Sequence, residues 1–258
     1  MLRFRSLASG SSGNATLVEA SDGSRRTRVL IDCGMGLRQL RASLAAEGLA
    51  PADLDGMFIT HEHGDHIGCA LALAAAHRVP LWASAGTARS LRPLPGHEVP
   101  IHTATDGTAF AIGGIEFHPF TVPHDAAEPL QLRCTDGDRV LGLMTDIGHV
   151  TAHALASLAG VHALVLESNH DPDLLARSRY PDFLKRRIGG AHGHLSNQQA
   201  AAALAALRHA RLSTVVAAPL SERNNRPELA RRSFAAVLGC RDGDVLLAER
   251  HGHGWLTV

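Results

Sequence analysis

Residues 60–66 read Thr-His-Glu-His-Gly-Asp-His, and no other stretch restricts the possible folds of the chain as much. Four potential metal ligands, His61, His63, Asp65 and His66, fall within six residues. They come directly after the apolar run Met57–Thr60 and before the alanine-rich run Ile67–His77. Side chains two residues apart point to opposite sides of a helix, so His61 and His63 can converge only from a strand end or a loop. Asp65 and His66 then sit on the first turn of the next helix and face a second point. Imidazole and carboxylate are ligands that Zn²⁺ and related ions accept, and spacing this dense is seldom incidental. Gly64 is expected to let the backbone fold closely around the ions.

Two later residues extend the pattern. His124 follows a predicted strand in Phe120-Thr-Val-Pro-His-Asp125, and Asp146 ends another in Leu143-Met-Thr-Asp-Ile-Gly148. Either alone is as well explained as a polar loop residue; beside the first motif, both read as ligands. The rest of the chain mixes strands and helices throughout. Strands are expected at Phe4–Ala8, Thr16–Glu19, Arg28–Asp32, Met57–Thr60, Ala163–Glu167 and Thr214–Ala217, with antiparallel strands over Thr108–Thr145 and two more closing the chain. Helices are expected at Arg38–Glu47, Ile67–His77, Thr151–Leu158, Ser196–His209 and Pro227–Leu238. With 45% hydrophobic residues a sizeable core can be buried. No linker or repeat divides the chain, so residues 1–258 read as one α/β (α+β) domain, two sheets with helices outside.

Global charge does not select a partner, since 25 Lys and Arg balance 25 Asp and Glu. A local basic stripe suffices to hold a nucleic acid strand, and two candidates exist. Arg177, Arg179, Lys185, Arg186 and Arg187 form one; Arg223, Arg226, Arg231 and Arg232 form the other. A solvated surface explains both equally well. The N-terminal sequence has no apolar run suited to a signal peptide, and no segment is long enough to span a bilayer. Cys33, Cys69, Cys134 and Cys240 are scattered and read as small core residues in a reducing compartment. A cytoplasmic protein is expected, with oligomeric state left open.

The order His-x-His-x-Asp-His, single His, single Asp resembles the metallo-β-lactamase superfamily, and more closely its YycJ/WalJ-like branch. The resemblance covers nearly the whole chain. It is carried also by Ser9-Gly-Ser-Ser-Gly-Asn14, Leu30-Ile-Asp-Cys-Gly34, Glu167-Ser-Asn-His-Asp171, Gly193-His-Leu-Ser-Asn197 and Leu220-Ser-Glu-Arg-Asn-Asn225. It implies an αββα sandwich and an exonuclease-like activity on DNA. It further implies that His61, His63 and His124 hold one divalent ion (Zn or Mn) and Asp65 and His66 a second, with Asp146 bridging. His194 matches a histidine that acts on the scissile phosphate or the leaving group in related nucleases; His192 has no such match and reads as a loop residue. Ser12 and Asn14, in a loop that also suits an ordinary hairpin, are candidate substrate contacts. So are Asn169 and Asn224, for which buried turn asparagines are the alternative. One departure stands out. The family carries a histidine before Leu-Ser where this chain has Pro219, which offers no ligand atom, so the second site is expected to be weak or open.

The reaction class implied is metal-assisted hydrolysis, with a water ionised near neutral pH, Asp65 orienting it and His194 meeting the charge that develops. Two rival readings remain. One is a small-molecule hydrolase acting on a lactone, β-lactam or cyclic phosphodiester. The other is a metal-depleted nucleic-acid-binding protein, suggested by Pro219 but at odds with six retained ligands.

Overall fold

All four side chains of Ala163-Leu-Val-Leu166 are buried, as expected of a strand covered on both faces. Ala163 and Val165 point into one apolar cluster, Leu164 and Leu166 into another. That alternation at one strand reports the layering of the whole molecule. The computed structural model describes residues 1–91 and 99–258.

Strands β1 (Leu2–Ala8), β2 (Ala15–Ser21), β3 (Arg26–Ile31), β4 (Gly56–Ile59), β5 (Leu81–Ala83) and β6 (Ile101–Thr103) form one sheet in sequence order. Strands β7 (Phe110–Ile112), β8 (Ile115–Thr121), β9 (Leu130–Thr135), β10 (Val140–Met144), β11 (Ala163–Leu166), β12 (Thr214–Ala217) and β13 (Leu246–Leu247) form the other, also in sequence order. A final strand, β14 (Leu256–Thr257), returns to the first sheet and pairs antiparallel with β1. Each seven-stranded sheet starts antiparallel and turns parallel, at β3–β4 in the first and β10–β11 in the second. The core between the sheets takes Phe4, Val18, Val29, Ile31 and Phe58 from the first and Phe117, Leu132, Leu143 and Val216 from the second.

Helices fill the outer layers. In the first half are α1 (Leu37–Ala45), α2 (Gly64–Ile67), α3 (Ala70–His77) and α4 (Ala85–Ser90). Then come α5 (Ala152–Leu158), α6 (Pro172–Arg177), α7 (Asp182–Ile188), α8 (Asn197–Leu207) and α9 (Pro227–Leu238). Leu40 and Leu44 of α1 and Leu73 of α3 pack on the outer face of the first sheet against Leu17, Leu30 and Met57. Leu158 of α5, Ala200, Ala203, Leu204 and Leu207 of α8, and Phe234 of α9 cover the second. In α8 these positions fall at i, i+3, i+4 and i+7, one helical face. The expected αββα sandwich is thus observed.

Three departures have physical reasons. The helix expected over Ile67–His77 is broken, because Gly68 takes φ +26° to bring the chain against β3. A Cβ at Gly68 would stand 2.5 Å from the Cys33 carbonyl oxygen. Strands β5 and β6, three residues each, were too short to show a period. Helices α6 and α7 occupy a stretch that read only as a basic run, and α7 buries none of its side chains. The cysteines also differ from expectation: Cys33 and Cys134 are core residues, but Cys69 is half-buried and Cys240 exposed.

Parallel pairing aligns strand ends. Since β8 is antiparallel to β9 and β9 to β10, β8 runs with β10, β11 and β12. The carboxyl ends of these strands form one edge of the second sheet. Those of β3 and β4 form an edge of the first. Ligands of open α/β sheets bind at such edges.

Candidate metal centre

Three candidate ligands stand just beyond a strand's carboxyl end, His61 after β4, His124 after β8 and Asp146 after β10, while His63 stands at the N-cap of α2 and Asp65 and His66 lie in its first turn. Three nitrogens converge first. His61 is fully buried, and its Nδ1 donates to Thr60 Oγ1 at 3.0 Å, which itself donates to Asp32 at 2.9 and 3.0 Å. That chain leaves His61 Nε2 with its lone pair, 3.0 Å from His63 Nδ1. His63 Nε2 lies 3.2 Å from the Asp125 carbonyl oxygen, which leaves its Nδ1 as the free atom. His124 Nδ1 donates to the Gly193 carbonyl at 3.0 Å, and its Nε2 is 3.4 Å from His63 Nδ1. Nitrogens on one tetrahedral Zn²⁺ at roughly 2.0–2.1 Å would be about 3.4 Å apart. The donors therefore fit a metal ion, with each ring's tautomer set by its outer partner. Burial pushes His61 and His124 below the ordinary imidazole pKa, so both offer lone pairs at neutral pH.

A second group lies alongside. His66 Nδ1 donates to Asp32 Oδ2 at 2.8 Å, and its Nε2 faces Asp146 Oδ2 at 3.3 Å and Asp65 Oδ2 at 3.8 Å. Burial alone would depress His66, but Asp146 and Asp32 overcome it and hold its pKa up at about 10. A field that keeps a proton on a buried imidazole also favours a metal cation. Asp146 is 4% exposed, and its Oδ2 has no hydrogen-bond partner among the described residues. A buried carboxylate is costly unless a cation faces it; here the His66 imidazolium does so at 3.3 Å, a role that a metal ion could take over. Asp146 and Asp32 both adopt left-handed backbone angles, φ +51° and +58°, which aspartate tolerates better than most residues. The turn aims each carboxylate inward.

Asp146 also belongs to a third contact set with Glu167 and His194. His194 Nδ1 donates to Glu167 Oε1 at 2.8 Å and lies 3.5 Å from Asp146 Oδ1. Burial disfavours the charged ring, yet the adjacent Glu167 carboxylate raises its pKa to about 9. Burial pushes Glu167 itself upward. Its Oε2 accepts the Ile147 and Leu195 amides at 3.0 Å each, which fixes the carboxylate under the ring. The helix after His194 starts on a capping box: Ser196 Oγ accepts from Gln199 N at 3.2 Å, and Gln199 Oε1 accepts from Ser196 N at 2.9 Å.

The other sequence candidates fall as follows. Asn14 Nδ2 lies 3.1 Å from His66 Nε2, while its Oδ1 accepts from Gly10 N at 2.9 Å. Asn169, Asn224 and Pro219 line a cavity of about 160 Å³ that Asp65, Asp146 and His194 also wall. Ser12 is exposed and is not among that cavity's walls; its neighbour Ser11 is. His192 is exposed. Gly64 meets nothing where a Cβ would stand; the close approach is at Gly34, whose Cβ would lie 1.6 Å from the Asp65 carbonyl oxygen. Sequence reasoning gave no role to Asp32, Thr60 or Glu167. The signal was present for two of them, since Asp32 and Glu167 are the first polar residues after apolar strands, as Asp146 nearly is.

The family model of the beta-lactamase superfamily domain matches residues 27–215. The chain is 36% identical over 240 residues to exodeoxyribonuclease YycJ of Bacillus anthracis, covering 92% of this chain and 89% of that one. It is 31% identical to exodeoxyribonuclease WalJ of Streptococcus pneumoniae serotype 2, covering 93% and 89%. Among solved structures, the metallo-beta-lactamase fold protein YhfI from Bacillus subtilis superposes with a TM-score of 0.74 at 16% identity, with 100% of both chains covered. That likeness is one of fold.

Proposed function

The chain belongs to the beta-lactamase superfamily, and from that premise we propose that it is a metal-dependent exodeoxyribonuclease. The observation that carries the reading is near-full-length likeness to an exodeoxyribonuclease in a chain whose strand ends gather a metal-ligand set. In this reading His61, His63, His124 and Asp146 hold one divalent ion, and Asp65, His66 and the shared Asp146 hold a second. Zinc or manganese suits both donor sets. Bound there, the ions supply Lewis acidity toward a phosphoryl oxygen and an activated water.

The protein's own groups do the rest. Asp65, 34% exposed at its side chain, orients the attacking water. Glu167 keeps His194 protonated and fixes its ring, so the second ring nitrogen presents a proton to the leaving oxygen. Asp32 acts through His66 and, by way of Thr60, through His61. A larger cavity of about 380 Å³ opens beside His194 past His63, Asp125 and Arg187. Arg186 and Arg187 of α7 are exposed, Arg187 while paired with Asp125 on the wall of that cavity, and in this reading they are the cations a phosphate backbone would meet. No helix among the described residues is long and apolar enough to cross a membrane.

Chelation of the purified protein should abolish hydrolysis of a bis-aryl phosphodiester and of DNA, and Mn²⁺ or Zn²⁺ should restore both. Failure to turn over any phosphodiester with any divalent ion would overturn the proposal.

A further inference from the structure

Two cavities meet at His194. The larger runs past Arg187. The smaller, about 160 Å³, lies on the opposite side, between the α6–α7 turn that carries Tyr180 and the loop Pro219–Asn224. Asp65, Asp146, Ile188 and His194 wall both. A strand whose reacting phosphate sits at that shared wall therefore has one space on each side, and the two spaces differ in chemistry.

The smaller cavity has no lysine or arginine among its walls. It offers the Asn14, Asn169 and Asn224 amides, the Ser11 and Ser221 hydroxyls, and the ring of Tyr180. Asp65 and Asp146 face both spaces; the larger one adds Arg187, paired with the Asp125 carboxylate, whereas the smaller adds no cation among its described walls and suits a neutral group better than a phosphate. A nucleobase, flat and neutral with donors and acceptors on its edge, matches these walls. Asn224 is 1% exposed, and its Oδ1 has no hydrogen-bond partner among the described residues. Its backbone is nevertheless pinned by Ser221 Oγ at 3.1 Å. That buried amide oxygen, on a residue of the cavity wall, is an acceptor without a donor among the described residues. Tyr180, the chain's single tyrosine, is half-buried, and the Arg223 guanidinium lies 5.9 Å from its ring centroid. Ring and guanidinium planes are the surfaces on which unpaired bases stack. The volume is about half of the roughly 300 Å³ at which cavities begin to take drug-sized ligands, which suits a single base.

We infer that the Tyr180 cavity is the subsite for the base of the strand's terminal nucleotide. Tyr180 stacks on the base, Asn169 and Asn224 meet its edge, and the remaining strand leaves past Arg187. A base-sized space beside the reacting phosphate suits the end of a chain. This rests on the nuclease reading and adds to it a reason for attack at ends.

The test uses the metal-loaded protein and single-stranded DNA whose attacked end has first been located by end-labelling. Wild type, Tyr180→Ala and Tyr180→Phe are compared on a normal end and on an end bearing an abasic nucleotide. Stacking on one aromatic ring should make the abasic end and the Tyr180→Ala variant each raise KM roughly tenfold, with kcat little changed. The two effects should not add, and Tyr180→Phe should behave as wild type. In parallel, 2-aminopurine at the terminal position should be quenched on binding to chelated wild type and Tyr180→Phe, but not to Tyr180→Ala. This reading needs no turnover, so loss of cleavage with retained quenching would count against the nuclease reading and not against the subsite. Equal KM for normal and abasic ends, equal loss by Tyr180→Ala on both, or quenching untouched by Tyr180→Ala would each overturn the inference.

Discussion

At the scale of single residues, the site depends on pairs in which one member sets the state of the other. His194 carries a proton because Glu167 lies beneath it. The folded-state pKa of about 9 is raised above the ordinary value, so the proton is present at neutral pH and lost as pH rises through about 9. Phosphodiester hydrolysis should therefore fall along that alkaline limb, and in Glu167→Gln the fall should begin at lower pH. His194→Ala should lower the rate by roughly 10²–10⁴ while metal content, measured by elemental analysis, stays the same. A parallel loss of metal would instead make His194 a ligand. Pro219 is the opposite case, a residue whose side chain sets nothing. It walls the cavity beside Asp65 and Asp146, where on the proposed assignment a second ion would have one imidazole and two carboxylates, one of them shared. On that assignment the two sites should be unequal, the first filled in purified protein and the second exchanging readily. Pro219→His should raise bound metal toward two per chain and increase the rate at low metal concentration. If the natural protein already retains two ions tightly and the substitution adds neither occupancy nor rate, the idea is wrong.

At the scale of elements, the close approach of the end of β3 to α2 decides whether the two metal groups stay in register. Gly34 lies on the Asp65 carbonyl, and a methyl there would overlap it at 1.6 Å. Backbone, not a flexible side chain, would have to yield. Gly34→Ala should thus cost roughly 1–3 kcal/mol or more and, on the proposed assignment, lower metal content; unchanged melting temperature and unchanged metal content would contradict this. The same region shows what could be read in advance. The motif His61–His66 was legible because its ligands are local, and α8 because its apolar spacing is regular. Asp32 and Glu167 were not assigned, because their partners are 34 and 27 residues away and only strand pairing brings them together. The break at Gly68 was hidden as well, since it answers to Cys33 across the sheet and not to its own neighbours. Ser12 stood in the right loop, but the turn faces Ser11 to the cavity.

At the scale of the molecule, two sheets pressed together leave their carboxyl edges side by side, so residues from Asn14 to Asn224 share one cleft. The sandwich must hold as a unit for the cleft to exist. Phe117, fully buried between the sheets, is a direct gauge: Phe117→Ala should cost roughly 3–5 kcal/mol, seen in denaturant unfolding, and a loss well under 1 kcal/mol would mean the sheets do not depend on this contact. The cleft as a whole has a carboxylate-rich centre, with Arg187 of α7 on its wall paired to Asp125. The most direct measurement compares linear DNA labelled at one end with covalently closed circular DNA, both given to the metal-loaded protein. Stepwise release of mononucleotides from the linear strand, abolished by chelator and by His61→Ala, with the circle left intact, is the expected result. Cutting of the circle at the same rate, or release that persists in His61→Ala under chelator, would contradict a metal-dependent nuclease that works from ends.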